Sequence, residues 1–253
     1  MERFQEQVVL ITGAPGGLGS AQARRFASQG ATIAINYLDI PEIAQQAVAL
    51  QKELTEQYGG THLLCPADIS DPAATDAMVS KIIEQTGRID VLVNNAGISI
   101  NAMSWKYPEE AWQKVLGVNL TGAFHCIRSV LPHMRAAGYG RIVSISSVVG
   151  LTGAVGTAAY AACKAGLIGL TKTVAREVAG KGITVNCVAP GYINAGIIRD
   201  VPEKMRQESV VPSIPLGRLG EAVDIASAVV YLGSPEAGYI TGHVLPVDGG
   251  FAM

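Results

Sequence analysis

Tyr160 and Lys164 stand four residues apart in the segment Ser146–Lys164, SSVVGLTGAVGTAAYAACK. The Ala-rich half of that segment should be helical, and the spacing then sets both side chains on one face about one turn apart. A phenol ionises near ~10, so a tyrosine that exchanges protons near neutrality needs a shift of ~3 units, or ~4 kcal/mol. A unit charge about 4 Å away at an effective dielectric of ~20 contributes about 4 kcal/mol. One ammonium is therefore enough in principle to make Tyr160 a general acid or base. The hydroxyls of Ser146 and Ser147 follow the run Ile142-Val143-Ser144-Ile145, which reads as a buried strand, so strand end and helix face can converge on one reacting group. The same residues also fit a plainer description, a core tyrosine with a solvated lysine one turn on.

Such a pair needs a scaffold, and the N-terminal third supplies a second chemical signal. Val8-Val9-Leu10-Ile11 stops at Thr12-Gly13, and Gly16, Gly17 and Gly19 precede the helical stretch Ser20 to Gln29. Strand, Gly-rich turn and helix in that order bring backbone N–H groups close to a phosphate, and the helix dipole favours its charge. A second strand at Ala31 to Ile35 completes the βαβ unit that a dinucleotide site requires. The ribose is read at the end of that second strand, where Asn36, Tyr37, Leu38 and Asp39 stand. No Arg or Lys is present there for a 2′-phosphate, and Asp39 would repel one. NAD is expected in preference to NADP. Asp39 equally suits the N-cap of the next helix, with Pro41 in its first turn.

The alternation continues with a helix at Glu42 to Tyr58, a strand at Thr61 to Cys65, a helix at Pro72 to Gln85 and a strand at Asp90 to Val93. Asn94-Asn95-Ala96-Gly97 then admits a ligand close to the backbone. A helix from Glu109 to Met134 carries Asn119 near its middle, an amide that either serves the site or eases a local kink. A strand at Arg141 to Ile145, the helix through Tyr160 and Lys164 to Val178, and a strand at Ile183 to Val188 follow. The long stretch Tyr192 to Arg218 reads as a substrate loop. A helix at Ala222 to Leu232 and a strand at His243 to Val247 end the pattern. β-α repetition throughout predicts an α/β fold, a Rossmann-type doubly wound sheet of about seven mostly parallel strands with helices on both faces, in one domain spanning 1–253.

Totals narrow the function further. With 49% hydrophobic and 16% charged residues and 29 Gly in 253 residues, the chain has the make-up of buried strands and closely packed helices. A net charge of −2 gives no field for nucleic acid or an anionic membrane. Cys65, Cys126, Cys163 and Cys187, like His62, His125, His133 and His243, lack metal-ligand spacing, so no metal is expected. The segment MERFQEQVVLITGA lacks an apolar signal core and no run reaches membrane-span length, which predicts a soluble, cytoplasmic protein.

Together these residues resemble the short-chain dehydrogenase/reductase family over nearly the whole chain. Its T-G-x-x-x-G-x-G pattern is met by Thr12, Gly13, Gly17 and Gly19, its N-N-A-G by Asn94 to Gly97, and its Y-x-x-x-K by Tyr160 and Lys164. Ser147, thirteen residues before the Tyr, matches the catalytic Ser better than Ser146, and Asn119 matches the fourth catalytic residue. The resemblance implies that Tyr160 passes a proton, Lys164 lowers its pKa and holds the nicotinamide ribose, Ser147 hydrogen-bonds the substrate oxygen, and Asn119 orders a water linking Lys164 to solvent. It implies cofactor contacts from Gly13, Pro15, Gly17, Leu18, Gly19, Tyr37, Leu38, Asp68, Ile69, Asn95, Ala96, Gly97, Tyr160, Lys164, Pro190, Gly191 and Ile193.

Some positions depart from the family pattern. Pro15 stands where NADP users often carry a basic residue, Ala195 replaces a Thr that contacts the cofactor, and Cys163 replaces a Ser beside the Lys and could be a reactive thiol. Asn-Tyr at 36–37 is also similar to NADP or dual users. G-R-I-V at 140–143, I-P-L-G-R at 214–218 and V-D-G-G at 247–250 resemble the 3-oxoacyl thioester reductases. Arg176 would then be a carrier-protein docking residue, and Arg199, Lys204 and Arg206 would meet a thioester's phosphates, unless all four are solvated cations. The implied activity is NAD(P)-dependent interconversion of a ketone, that of a 3-oxoacyl thioester, and a secondary alcohol, by a homotetramer. A catabolic secondary-alcohol, cyclic-alcohol or sugar dehydrogenase shares every catalytic residue, and a dinucleotide-binding sensor without turnover is the alternative of another class.

Overall fold

The computed structural model describes residues 3–196, 198 and 202–253. Seven strands, β1 (Val8–Ile11), β2 (Thr32–Tyr37), β3 (Leu63–Pro66), β4 (Val91–Asn94), β5 (Gly140–Ile145), β6 (Ile183–Pro190) and β7 (Val244–Val247), form one sheet in the order β3-β2-β1-β4-β5-β6-β7. All six pairings are parallel, with Val9 beside both Ile33 and Val91 and Cys187 beside Val244. This is the Rossmann-type α/β fold. Strand order reverses between β1 and β4, and the crevice beyond their carboxyl ends is where such sheets take ligands.

A parallel sheet must be covered on both faces, which is why β1, β4 and β5 are buried along their whole length. Period-two alternation splits the apolar residues between two cores. Val9, Ile11, Ile33, Ile35 and Val143 pack under α1 (Gly17–Ala27), α2 (Pro41–Tyr58) and α9 (Ala222–Leu232), with Phe26, Leu54 and Val229. Leu10, Leu92, Ile142 and Val185 pack on the other face against Val79 of α3 (Pro72–Thr86), Val130 of α5 (Gly122–Ala137) and Val174 of α7 (Ala158–Val178).

Helix starts and stops follow local chemistry. Asp71 caps α3, its carboxylate accepting the Ala73 N–H at 2.8 Å, with Pro72 in the first turn. A reciprocal capping box between Glu221 and Asp224 opens α9. Gly87 and Gly138 close α3 and α5 in the left-handed region. Asp39 does not cap α2: the N-cap is Ile40, no side chain caps the end, and Asp39 is exposed.

Two elements differ from the sequence expectation. The helix expected over 109–134 is α4 (Glu109–Leu116), a π-helical turn at Gly117–Thr121, and α5. The stretch before Tyr160 holds a separate short helix, α6 (Val149–Thr152), because Gly153 and Gly156 adopt positive φ and α7 starts only at Ala158. Within 192–218 lies the short α8 (Glu203–Met205), followed by π and 3-10 turns to Ser213.

Candidate active site

The chain crosses the sheet's carboxyl edge first at Thr12, which is fully buried. Its hydroxyl accepts the N–H groups of Asn95 and Ala96 at 3.0 Å each, and Asn95 Nδ2 donates back to the carbonyls of Thr12 and Gly13. The turn after β1 and the turn after β4 are thereby locked together. Gly13 has φ +61, and a Cβ there would lie 3.0 Å from Ala96 Cα. At Gly19 a Cβ would come within 2.6 Å of the Gly13 carbonyl, so the turn folds onto its own helix only with glycine.

This is the fit expected for a dinucleotide's phosphates. No side chain caps the N-terminus of α1, so the N–H groups of Gly17, Leu18 and Gly19 in its first turn point out of the helix without an intrahelical acceptor. Pro15 sits half-buried in the turn, and Ala195, early in the stretch 192–218, packs against Gly17, its Cβ 3.3 Å from where a Cβ on Gly17 would be.

Where the adenosine was expected, Tyr37 is buried while Leu38 and Asp39 are exposed at the end of β2. Burial, then the Asp39 carboxylate, raises the Tyr37 phenol. Asp68 accepts both the N–H and the hydroxyl of Ser70, and Ile69 is buried against Gly122, where an added Cβ would meet it at 2.8 Å. Pro190 and Gly191 end β6, held by Val148 N–H to Pro190 O (2.9 Å) and Gly191 N–H to Val247 O (3.1 Å). Ile193 is buried and bridges to Gly220.

The four residues expected to act on substrate converge on the neighbouring part of the same edge. Asn119 sits in the π-helical turn, 1% exposed, and its amide grips one residue twice: Oδ1 accepts the Ile98 N–H at 2.8 Å and Nδ2 donates to the Ile98 carbonyl at 2.7 Å. A Cβ on Gly97 would lie 2.8 Å from Asn119 Oδ1 and 3.5 Å from Lys164 Nζ, so the glycine lets amide and ammonium approach. The two serines part company. Ser146 is buried and donates to the Lys164 carbonyl at 2.7 Å, whereas the Ser147 hydroxyl accepts the Val149 N–H at 3.1 Å and stands near enough to the Tyr160 phenol to lower its pKa.

Lys164 and Tyr160 do share a helix face, yet their geometry differs from the spacing argument. Lys164 Nζ lies 5.3 Å from the Tyr160 ring centroid and donates to the Ile145 carbonyl at 2.6 Å. Burial lowers the ammonium to about 8. Burial also raises the Tyr160 phenol, against the lowering hydrogen bond from Ser147, with a smaller rise from the Cys163 thiol. The nearby ammonium is therefore not what sets this phenol. Spacing places Cα atoms on one face; it does not decide that a long side chain turns its head down to a strand carbonyl.

Other sequence candidates separate from the site. Cys163 is fully buried and pushed up to about 11 by burial, so it is an inert core thiol, its Sγ near the Val115 carbonyl. Arg176 is exposed in the last turn of α7. Lys204 pairs with Glu208, and Arg206 with Glu203, within their own short helical segment. Arg199 lies outside the described residues. Sequence reasoning missed the role of Asn36, which is 2% exposed and turned inward; a polar amide inside the β-run TIAINY was its signal.

The chain is similar to several known proteins. A family described as enoyl-(acyl carrier protein) reductase matches residues 13–252. The chain is 40% identical to a 3-oxoacyl-[acyl-carrier-protein] reductase of Thermotoga maritima over 254 residues, covering 99% of this chain and 100% of the relative. It is 41% identical to an acetoacetyl-CoA reductase of Rhizobium meliloti over 244 residues, 96% and 98% of the two chains. The crystal structure of levodione reductase superimposes with a TM-score of 0.92 at 35% identity over 99% of both chains.

Proposed function

The chain belongs to the short-chain dehydrogenase/reductase family of oxidoreductases, and from that premise we propose that it reduces the ketone of a 3-oxoacyl thioester to a secondary alcohol. One observation carries the reading: Ser147, Tyr160, Lys164 and Asn119 converge on one part of the sheet's carboxyl edge, with Lys164 Nζ 5.3 Å from the Tyr160 ring centroid, and burial raises the phenol, which therefore carries its proton at neutral pH. A protonated phenol is the state that reduction requires.

In this reading a nicotinamide dinucleotide on the Gly13–Gly19 turn supplies the hydride. Tyr160 gives its proton to the carbonyl oxygen as negative charge develops there. Ser147 donates a second hydrogen bond to that oxygen, stabilising the charge in a site sheltered from water. Lys164, protonated below about pH 8, holds the nicotinamide ribose and returns a proton to Tyr160. Asn119 has one lone pair and one N–H left after gripping Ile98, enough to hold a water on the path from Lys164 to solvent. Pro190, Gly191 and Ile193 would line the nicotinamide, Asp68 and Ile69 the adenine, and Tyr37 and Leu38 the adenosine ribose. The exposed Asp39 carboxylate, placed after Leu38, favours NADH over NADPH.

All 253 residues are assigned to one catalytic unit, with 192–218 covering the substrate. We further place it as a cytoplasmic homotetramer. Among the described residues no helix is long and apolar enough to cross a membrane. The likeness to levodione reductase favours one second reading, reduction of a free ketone.

The test is absorbance at 340 nm with purified protein and acetoacetyl-CoA, NADH and NADPH in parallel, with a trans-2-enoyl thioester, a free ketone, and NAD with secondary alcohols as further arms. Fast oxidation of NADH by the 3-oxo thioester is expected. Turnover confined to the enoyl thioester, to alcohols or to free ketones would remove the assignment, and dinucleotide binding without any turnover would make the protein a sensor.

A further inference from the structure

Asn36 is the last residue but one of β2, its side chain is buried, and every polar atom of that side chain is used. Oδ1 accepts the Gly13 N–H at 3.3 Å, and Nδ2 donates to the carbonyls of Cys65 and Ala67 at 3.1 Å each. The thioether of Met78 covers the same nitrogen at 3.3 Å. The backbone of Asn36 adds a further tie, its carbonyl accepting the Ala14 N–H at 3.0 Å. One residue thus joins the first two positions of the Gly-rich turn to the exit of β3, and Ala67 immediately precedes the pair Asp68–Ile69.

We infer that Asn36 is a positioning residue that sets the phosphate-binding turn at a fixed distance from the adenine-side pair, so that the adenosine diphosphate half of the dinucleotide meets a cradle already in shape. The inference rests on the dinucleotide reading above. Its physical basis is preorganisation: a turn held before binding loses little freedom on binding, and affinity is gained by the cost avoided. The Gly13 N–H and both carbonyls cannot be satisfied by any other single side chain of this size. Asp offers no donor and sets a charge against two carbonyls, Leu offers nothing, and Ser is too short to span the three groups. Because the amide faces inward, Asn36 acts through the backbone and leaves the ribose to its successors.

Asn36→Ala and Asn36→Ser test this, with ADP binding measured by calorimetry and NADH binding by fluorescence. Both ligands should bind at least ten-fold more weakly. The KM for the cofactor should rise by the same factor, while kcat at saturating cofactor and the KM for the ketone stay within two-fold. Ile82→Ala, in the same core but away from the turn, serves as the comparison. It should lose as much thermal stability as the Asn36 variants and keep its ADP affinity within two-fold. ADP affinity within two-fold of wild type in a folded Asn36 variant would overturn the inference, as would equal weakening by Ile82→Ala, which would make the effect one of stability alone. Wild-type protein that binds neither ADP nor NADH would remove the dinucleotide reading and this inference with it; wild-type binding that the Asn36 variants retain removes the inference only.

Discussion

Lys164→Met should make the protein more stable at pH 7 while abolishing its turnover. The fold holds the Lys164 ammonium in a fully enclosed position, 3% exposed, and lowers it from 10.5 to about 8. That interval corresponds to about 3 kcal/mol that the folded state forgoes to keep the group charged at pH 7. Methionine has similar length and no charge, so it removes this cost. It also leaves the Ile145 carbonyl without its partner, which costs about 1–3 kcal/mol. The net expectation is a gain of about 0–2 kcal/mol, or up to about 4–8 °C for a chain of this size. The sign in pH is definite. A base with a depressed folded pKa contributes stability that is complete above its unfolded value of 10.5 and lost as pH falls through about 8. The advantage of Lys164→Met should therefore be constant below about pH 8, shrink above it and reverse toward pH 10.5. Paired urea denaturation of the two proteins from pH 6 to 10.5 measures this directly. A variant less stable than wild type at pH 7, or two stability profiles that run parallel across the range, would refute the buried-charge account.

Three further outcomes follow from other contacts. Tyr160→Phe should lower kcat by about 10²–10⁴ while NADH fluorescence titration stays within two-fold; retained turnover removes Tyr160 from the chemistry. Gly19→Ala puts a Cβ within 2.6 Å of the Gly13 carbonyl and 2.8 Å of Ala14, so the turn must shift, with about 1–3 kcal/mol of stability and most of the ADP affinity lost; melting and calorimetry that match wild type would contradict the geometry. His62 is buried with Nδ1 accepting the Ile33 N–H at 3.1 Å, and burial lowers its pKa below 6.5. Its contribution is complete above pH 6.5 and lost as pH falls below that, so His62→Asn should flatten the acid side of the denaturation profile between pH 6.5 and 5; an unchanged slope would assign that loss to other groups.

Most of the sheet was legible because its strands are buried on both faces and are mostly apolar, as in VVLI and VLVN, with a turn containing Gly close behind. Helix limits were less so. α1 begins at Gly17 rather than Ser20, since the free N–H groups of a glycine turn count as helix without any propensity signal. The break in the 109–134 helix has a local cause invisible to periodicity: the π-helical turn carries Asn119, whose amide is committed to Ile98, twenty-one residues earlier. Likewise the Tyr160 and Lys164 spacing placed both on one face, but the depth of the lysine and its turn toward Ile145 depend on β5, which a helical wheel does not contain.

The polar groups at the carboxyl edge share one habit that explains both the successes and the misses. Thr12, Asn36, Asn95, Asn119 and Lys164 each bond a main-chain group of another segment, most of them at turns containing glycine. Glycine lets the backbone come close but leaves it loose, and a buried hydroxyl, amide or ammonium ties it down again. Residue type therefore announces that a buried polar side chain needs partners, and motif spacing announces where a ligand approaches. Which main-chain group each one holds is decided by the order of strands in the sheet. That is why Asn36, adjacent in space to both the turn after β1 and the exit of β3, could be seen in the sequence only as an amide in the wrong place, and why its effect on dinucleotide affinity, more than any motif residue's, measures how far the fold itself prepares the site.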